Sequence, residues 1–408
     1  MNFFQFFIWG AWMITIGNYW FSTKGWQSED FGIIFSTMGI ASILMPTLCG
    51  IIADRWINTE RLYGILHILC GITFMSLPMA DNPSTFFGVI LLAMIFYMPT
   101  LALANSIAYS TLHRRNLDAV KHFPPIRVWG TVGFIAAMWV TNLTGNKASE
   151  AQFYIAGVAA IFLGLYAFTL PPSPPQKAAE KGKTLSEILG LDAFKLFKEY
   201  KMALFFLFSM LLGAALQLTN AYGDTFLSDF EKMPEYKDSF VTRYSTIILS
   251  ISQISETLFI LAIPFFLRRF GIKTVMLISM LAWVLRFGLF AFGDPAGGLW
   301  MIIFSCIVYG MAFDFFNISG SLFVEKSTNA KIRSSAQGLF MMMTNGFGAI
   351  LGSWTSGILI GKFFTDASGT KDWQSIWLCF AGYALVVAIL FAIFFKYKYT
   401  PEKEKYNK

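Results

Sequence analysis

Apolar runs long enough to cross a bilayer recur from one end of this chain to the other, and no other property restricts its fold so strictly. Inside hydrocarbon every backbone N–H and C=O must find a partner within the protein, which leaves helices and closed barrels as the spanning structures. A spanning helix needs about 20 mostly apolar residues. Runs of that length fall near 3–21, 31–53, 62–79, 85–111, 123–143, 151–170, 202–222, 243–267, 273–292, 298–323, 335–361 and 374–396. The expected fold class is therefore an all-α integral membrane protein with twelve transmembrane helices. The composition agrees, with 56% hydrophobic and only 13% charged residues.

The runs divide into two sets of six. Residues 1–170 form the first half, a proline-led and lysine-rich linker occupies 171–200, the second half covers 201–398, and 399–408 is a basic tail. Within the linker, LSEILGLDAFKLFKEY alternates apolar and charged residues at helical spacing, as an amphipathic helix at a membrane surface would. The first span carries neither a basic leader nor a cleavage site and reads as retained. Spans two and three are joined by the short turn ADRWINTER, which makes them antiparallel neighbours. The loops on one side, with the tail, hold about 22 Lys and Arg against about 6 on the other. Cytoplasmic loops carry the excess of basic residues, so both termini are expected in the cytoplasm.

Charge and cysteine usage exclude several functions. The net charge of +7 resides in those loops, which argues against a nucleic-acid partner. Cys49, Cys70, Cys306 and Cys379 lie in apolar spans without metal-ligand spacing and read as packing residues. The three histidines are scattered, so neither a metal site nor a cofactor is expected. No nucleophile triad or P-loop is present, and the chain does not read as an enzyme.

Function must then reside in polar side chains at bilayer depth, which usually mark substrate or ion pathways. Glu256 stands in the middle of a span, with Gln253 one turn earlier on the same face. Either this face lines a chamber, or the acid is held by a structural partner such as Arg286. Arg127, Thr131 and Phe134 recur at i, i+4 and i+7, lining a cavity unless Arg127 snorkels to the interface. Gln217 and Asn220, at i and i+3, suit a neutral hydroxylated ligand or hold helices together. Tyr309 and Phe313, at i and i+4, offer flat faces to a planar ring or belong to the core. Asp314 faces about 100° away from Phe313, with proton transfer or pairing with an arginine as its two readings. The turn GIIADRW brings Gly50, Asp54 and Arg55 together, a small residue for close helix approach and an acid–base pair able to bridge half-bundles.

Several of these stretches are long and unusual: FPPIRVWGT (123–131), GLDAF (190–194), FSMLLGA followed by LQ-TN (208–220), SISQISETLFI (250–260), YG-AFDFFNISGS (309–321), and SAQG with MMTNGFG (335–348). Through them the chain resembles, over essentially its whole length, the nucleoside:proton symporter family of the major facilitator superfamily. The resemblance implies a 6+6 major facilitator bundle in a bacterial inner membrane, importing nucleosides with protons by alternating access. It places the ligand site at Arg127, Thr131, Phe134, Gln217, Asn220, Gln253, Glu256, Tyr309 and Phe313, with Glu256 or Asp314 carrying the proton. The amides and Glu256 would bind ribose hydroxyls while the aromatic rings sandwich the base. The expected partners are thus nucleoside, protons and the lipid bilayer, and nothing in the sequence demands more than a monomer. A sugar or oligosaccharide symporter of the same fold is the alternative, and a non-transporting nutrient sensor a more distant one.

Overall fold

The computed structural model describes residues 1–117, 119–175, 191–328 and 333–397. These are helical almost throughout. In chain order the elements are α1 (Asn2–Gly10), α2 (Ser28–Arg55), α3 (Thr59–Ser76), α4 (Pro83–Arg114), α5 (Ala119–Leu143), α6 (Ala151–Ala167), α7 (Tyr200–Asp229), α8 (Ser245–Phe292), α9 (Leu299–Ser327), α10 (Arg333–Met341), α11 (Ala349–Phe363) and α12 (Trp373–Phe394). Eight of the described helices have the length and apolarity to cross a membrane.

Two helices differ from uniform rods. The first apolar run is broken: α1 ends at Gly10, and the chain continues through a short turn, Ile16–Asn18, into a π-helical segment, Tyr19–Thr23. By contrast, α8 is a 48-residue stretch. A straight helix of that length would measure about 72 Å, more than twice a hydrocarbon core of about 30 Å. The chain reverses inside it at Gly271, whose φ of 77° suits glycine alone among common residues. This is where the sequence places the junction between two spans. A second π-helical segment, Met342–Gly348, joins α10 to α11.

Membrane helices associate through small residues that let backbones approach. Gly64 of α3 meets the Gly164 carbonyl of α6, and Gly71 meets that of Gly157. Gly10 and Gly133 bring α1 against α5. Polar side chains add to this within the first 170 residues. Gln5 donates to Thr100 at 2.9 Å and accepts from the Tyr63 hydroxyl at 2.6 Å. Because α3 is committed to α4 and α6, it touches α2 little. The expectation that the short turn makes α2 and α3 packed neighbours is therefore corrected. Instead α2 packs across the molecule on α11, with Gly32 against Ser353 and Gly357, and Gly39 against the Gly346 carbonyl.

Further contacts join the first 170 residues to those after 200 at the end of the bundle away from the basic loops. Lys147 donates to the Thr242 carbonyl at 2.7 Å and to the Ser228 and Ser245 hydroxyls, each at 3.2 Å. Trp139 donates to Ser250 at 2.9 Å, and Asn142 to the Arg243 carbonyl at 3.1 Å. Lys371 lies 3.7 Å above the Phe21 ring. This end is closed.

The amphipathic helix expected in the linker is described only over Leu191–Lys198, as tight 3₁₀ turns with Ala193 and Leu196 buried. Its residues 185–190, and the basic tail beyond residue 397, lie outside the described residues.

Candidate functional site

The backbone around Glu256 is set by a glycine on the facing helix. At Gly310 of α9, a Cβ would stand 2.6 Å from the Glu256 nitrogen and from the Ser255 carbonyl carbon of α8, so only a bare α-carbon permits this approach. The Ser255 hydroxyl pins the same contact by donating to the Ile307 carbonyl. Glu256 and Gln253 thus face the helix that carries Tyr309, Phe313 and Asp314, and the Gln253 side chain reaches the Tyr309 hydroxyl.

Tyr309 and Phe313 are stacked, with ring centroids 6.0 Å apart and planes 10° from parallel. Behind them lies Arg286, which is 1% exposed. Its guanidinium lies 4.7 Å above the Tyr309 ring and 4.9 Å above that of Phe290. It donates to the Ser305 carbonyl at 2.7 Å and to the Thr219 hydroxyl at 3.4 Å. Cys306 lies against it as well, so its partners among the described residues are a carbonyl, a hydroxyl, a thiol and two rings, and it does not hold Glu256 as a structural counter-ion.

From the first 170 residues, α5 contributes the Arg127, Thr131 and Phe134 stripe. Arg127 and Thr131 are half-buried and Phe134 is buried. The guanidinium of Arg127 rests 4.0 Å above the Phe6 ring of α1. Gly130 leaves room for it, since a Cβ there would lie 2.7 Å from Arg127 Nη1. The charges of Arg127, Glu256 and Asp314 act on one another, so α5, α8 and α9 present them to a common region.

On α7, Gln217 is buried and Asn220 half-buried. Gln217 Oε1 and Asp314 Oδ2 are among the buried polar atoms that have no hydrogen-bond partner among the described residues. Leaving such an atom unsatisfied costs about 1–3 kcal/mol, and each instance asks for an explanation. A ligand hydroxyl for the amide oxygen and a proton for the carboxylate oxygen would both supply one. The geometry therefore offers a stacking platform, amide acceptors and donors, one fixed cation and two acids, which suits a neutral, hydroxylated molecule with a planar ring.

The turn after α2 is less informative. Gly50 has no atom within 4 Å of where a Cβ would stand, so it does not mediate the close helix approach expected of it. Arg55 is half-buried, and the Asp54 side chain lies outside the described residues.

One cluster escapes a reading by spans. Asp224 of α7 is 1% exposed and accepts hydrogen bonds from Thr246 at 3.0 Å and from Asn18 of the first apolar run. It lies four residues beyond Asn220, on the face that carries Gln217, but a span drawn to residue 222 leaves it in a loop. The i, i+3, i+7 spacing from Gln217 is the signal that would have found it.

Comparison with known proteins gives one consistent answer. Residues 1–400 match the family described as nucleoside H+ symporter. The chain is 53% identical over 411 residues to xanthosine permease of Escherichia coli K12, covering 100% of this chain and 97% of that protein. It is 50% identical over 400 residues to nucleoside permease NupG of the same strain, covering 98% and 95%. The crystal structure of nucleoside transporter NupG superposes with a TM-score of 0.91 at 50% identity, covering 97% of this chain and 98% of that one. The chain belongs to the nucleoside H+ symporter family of the major facilitator superfamily.

Proposed function

We propose that this protein imports nucleosides together with protons across a bacterial inner membrane, through a twelve-span, six-plus-six bundle that opens alternately to either side. The nucleoside is held by Arg127, Thr131 and Phe134 from one half and by Gln217, Asn220, Gln253, Glu256, Tyr309 and Phe313 from the other. The base stacks on the Tyr309–Phe313 platform, and the ribose hydroxyls meet the amides and Glu256. The observation that carries this reading is the meeting of Arg127, Glu256 and Asp314 beside a stacked aromatic pair and an unsatisfied Gln217 oxygen.

In this cycle Glu256 takes a proton from outside and Asp314 stands beside it as the second acceptor. Neutralising the acid leaves the chamber with less uncompensated charge while the nucleoside is enclosed. Rocking of the halves then opens the basic-loop side, where water receives proton and nucleoside. A membrane potential of 100 mV moves one charge with about 2.3 kcal/mol, enough for roughly fortyfold accumulation per proton.

The test is uptake of labelled uridine into proteoliposomes under an imposed pH gradient. Glu256→Gln should abolish uphill uptake while leaving exchange partly intact. Uphill uptake at the wild-type rate would remove Glu256 from the proton path. Competition by nucleosides but not by disaccharides separates this reading from a sugar symporter, and net flux separates it from a sensor.

A further inference from the structure

The polar face of α9 continues past Phe313. Asn317 and Ser321 follow at four-residue steps, each turned by about 40°. With Gln337, Phe340 and the exposed carboxylate of Glu325 they line a cavity of about 480 Å³ between α9 and α10, one turn nearer the basic-loop side than the Tyr309–Phe313 platform. That volume falls within the range of small-molecule sites, about 300–1,000 Å³.

The polar groups are arranged rather than scattered. Gln337 Nε2 donates to the Ser321 carbonyl at 2.7 Å, which fixes the amide and leaves its Oε1 free to accept. The side chains of Asn317 and Ser321 are half-buried and have no hydrogen-bond partner among the described residues. Phe340, 1% exposed, supplies an apolar wall. An amide, a hydroxyl and an amide oxygen beside an aromatic ring repeat the chemistry of the candidate site.

We infer that this cavity is a second nucleoside station on the cytoplasmic part of the path, where ribose hydroxyls pass from Gln253 and Glu256 to Asn317, Ser321 and Gln337 before release. The inference rests on the transport reading given above. Because the bundle is closed at the opposite end, a ligand leaving the Tyr309–Phe313 platform meets these groups on its way out. The station binds nucleoside arriving from the cytoplasmic side and contributes little to capture from outside.

The experiment is a sided measurement of uridine KM in oriented proteoliposomes, comparing wild type with the Asn317→Ala, Ser321→Ala double variant. The KM at the cytoplasmic face should rise about tenfold, the size expected for two lost neutral hydrogen bonds. The KM at the outer face and proton-driven accumulation should stay within about twofold. An unchanged cytoplasmic KM, or an equal rise at both faces, overturns the station. If the double variant fails to reach the membrane, Asn317→Ala alone should raise the cytoplasmic KM about threefold, and no rise overturns it equally. Absence of uridine transport by the wild type would instead remove the transport reading, and the station with it.

Discussion

The Asn18 amide donates to the Asp224 carboxylate across 206 positions of sequence, joining the broken first apolar run to α7 at the closed end of the bundle. Thr246 occupies the other carboxylate oxygen, and the charge of Lys147 acts on the same acid. The face of α7 that carries Gln217 and Asn220 therefore runs into the contacts that seal this end.

Asp224→Asn should loosen that seal. The amide keeps the shape but loses the charge that both donors now meet. Hydrogen bonds to charged groups contribute about 1.5–3 kcal/mol, so the closed population should fall roughly tenfold or more relative to the open one. Spin labels at Ser22→Cys and Lys237→Cys, both exposed, would report it as a longer distance. Cys379 is the exposed native cysteine among the four and should be replaced by serine first.

A pH dependence of the same distance follows from Lys371, in the loop after α11. Burial pushes its ammonium down to about 8 from the ordinary 10.5, and the charge of Asp229 offsets only part of this. The Phe21 face favours the charged form, but desolvation prevails. Closing this end therefore releases a proton. The closed state carries the full penalty below about pH 8 and is relieved of it as pH rises toward 10.5. The short-distance population should grow between pH 7 and 10, and Lys371→Met should flatten the response. External acid thus favours outward opening, the direction a proton-driven importer needs.

Arg286→Lys should weaken nucleoside binding without altering proton coupling. An ammonium cannot reproduce a planar guanidinium placed between the Tyr309 and Phe290 faces while donating to Ser305. Calorimetric affinity is expected to fall about tenfold, with the ratio of protons to nucleoside unchanged.

Gly310→Ala should lower thermal stability and uptake together. Its Cβ would meet Glu256 and Ser255 backbone atoms at 2.6 Å, where no side chain can swing aside. Overpacking of this kind costs about 1–3 kcal/mol. Gly288→Ala, with open space around it, is the control and should leave both readings unchanged.

Much of this architecture is legible in the sequence, because the length of an apolar run is itself the physical requirement for a spanning helix. The stripes carrying Arg127, Gln217, Glu256 and Tyr309 are legible for a related reason: helical spacing fixes which side chains share a face. What depends on tertiary contact is not. The break after Gly10 goes with close approach to Phe134 and Ala137, and Gly17 sits against Thr225 and Ala221. The choice of α11 rather than α3 as the partner of α2 is made by Gly32 and Gly39 meeting glycines more than 300 residues away. Arg286 offered itself in sequence as a counter-ion for Glu256, yet it serves the ring of Tyr309.

The meeting of Gly32 with Gly357 has a mechanical consequence. Where main chain touches main chain, no rotamers must disengage before one surface rolls over the other, so α2 can tilt on α11 about this line without unmeshing a core. The contact behaves as a bearing. A methyl group at Gly32 or Gly357 would act as grit in it and slow turnover.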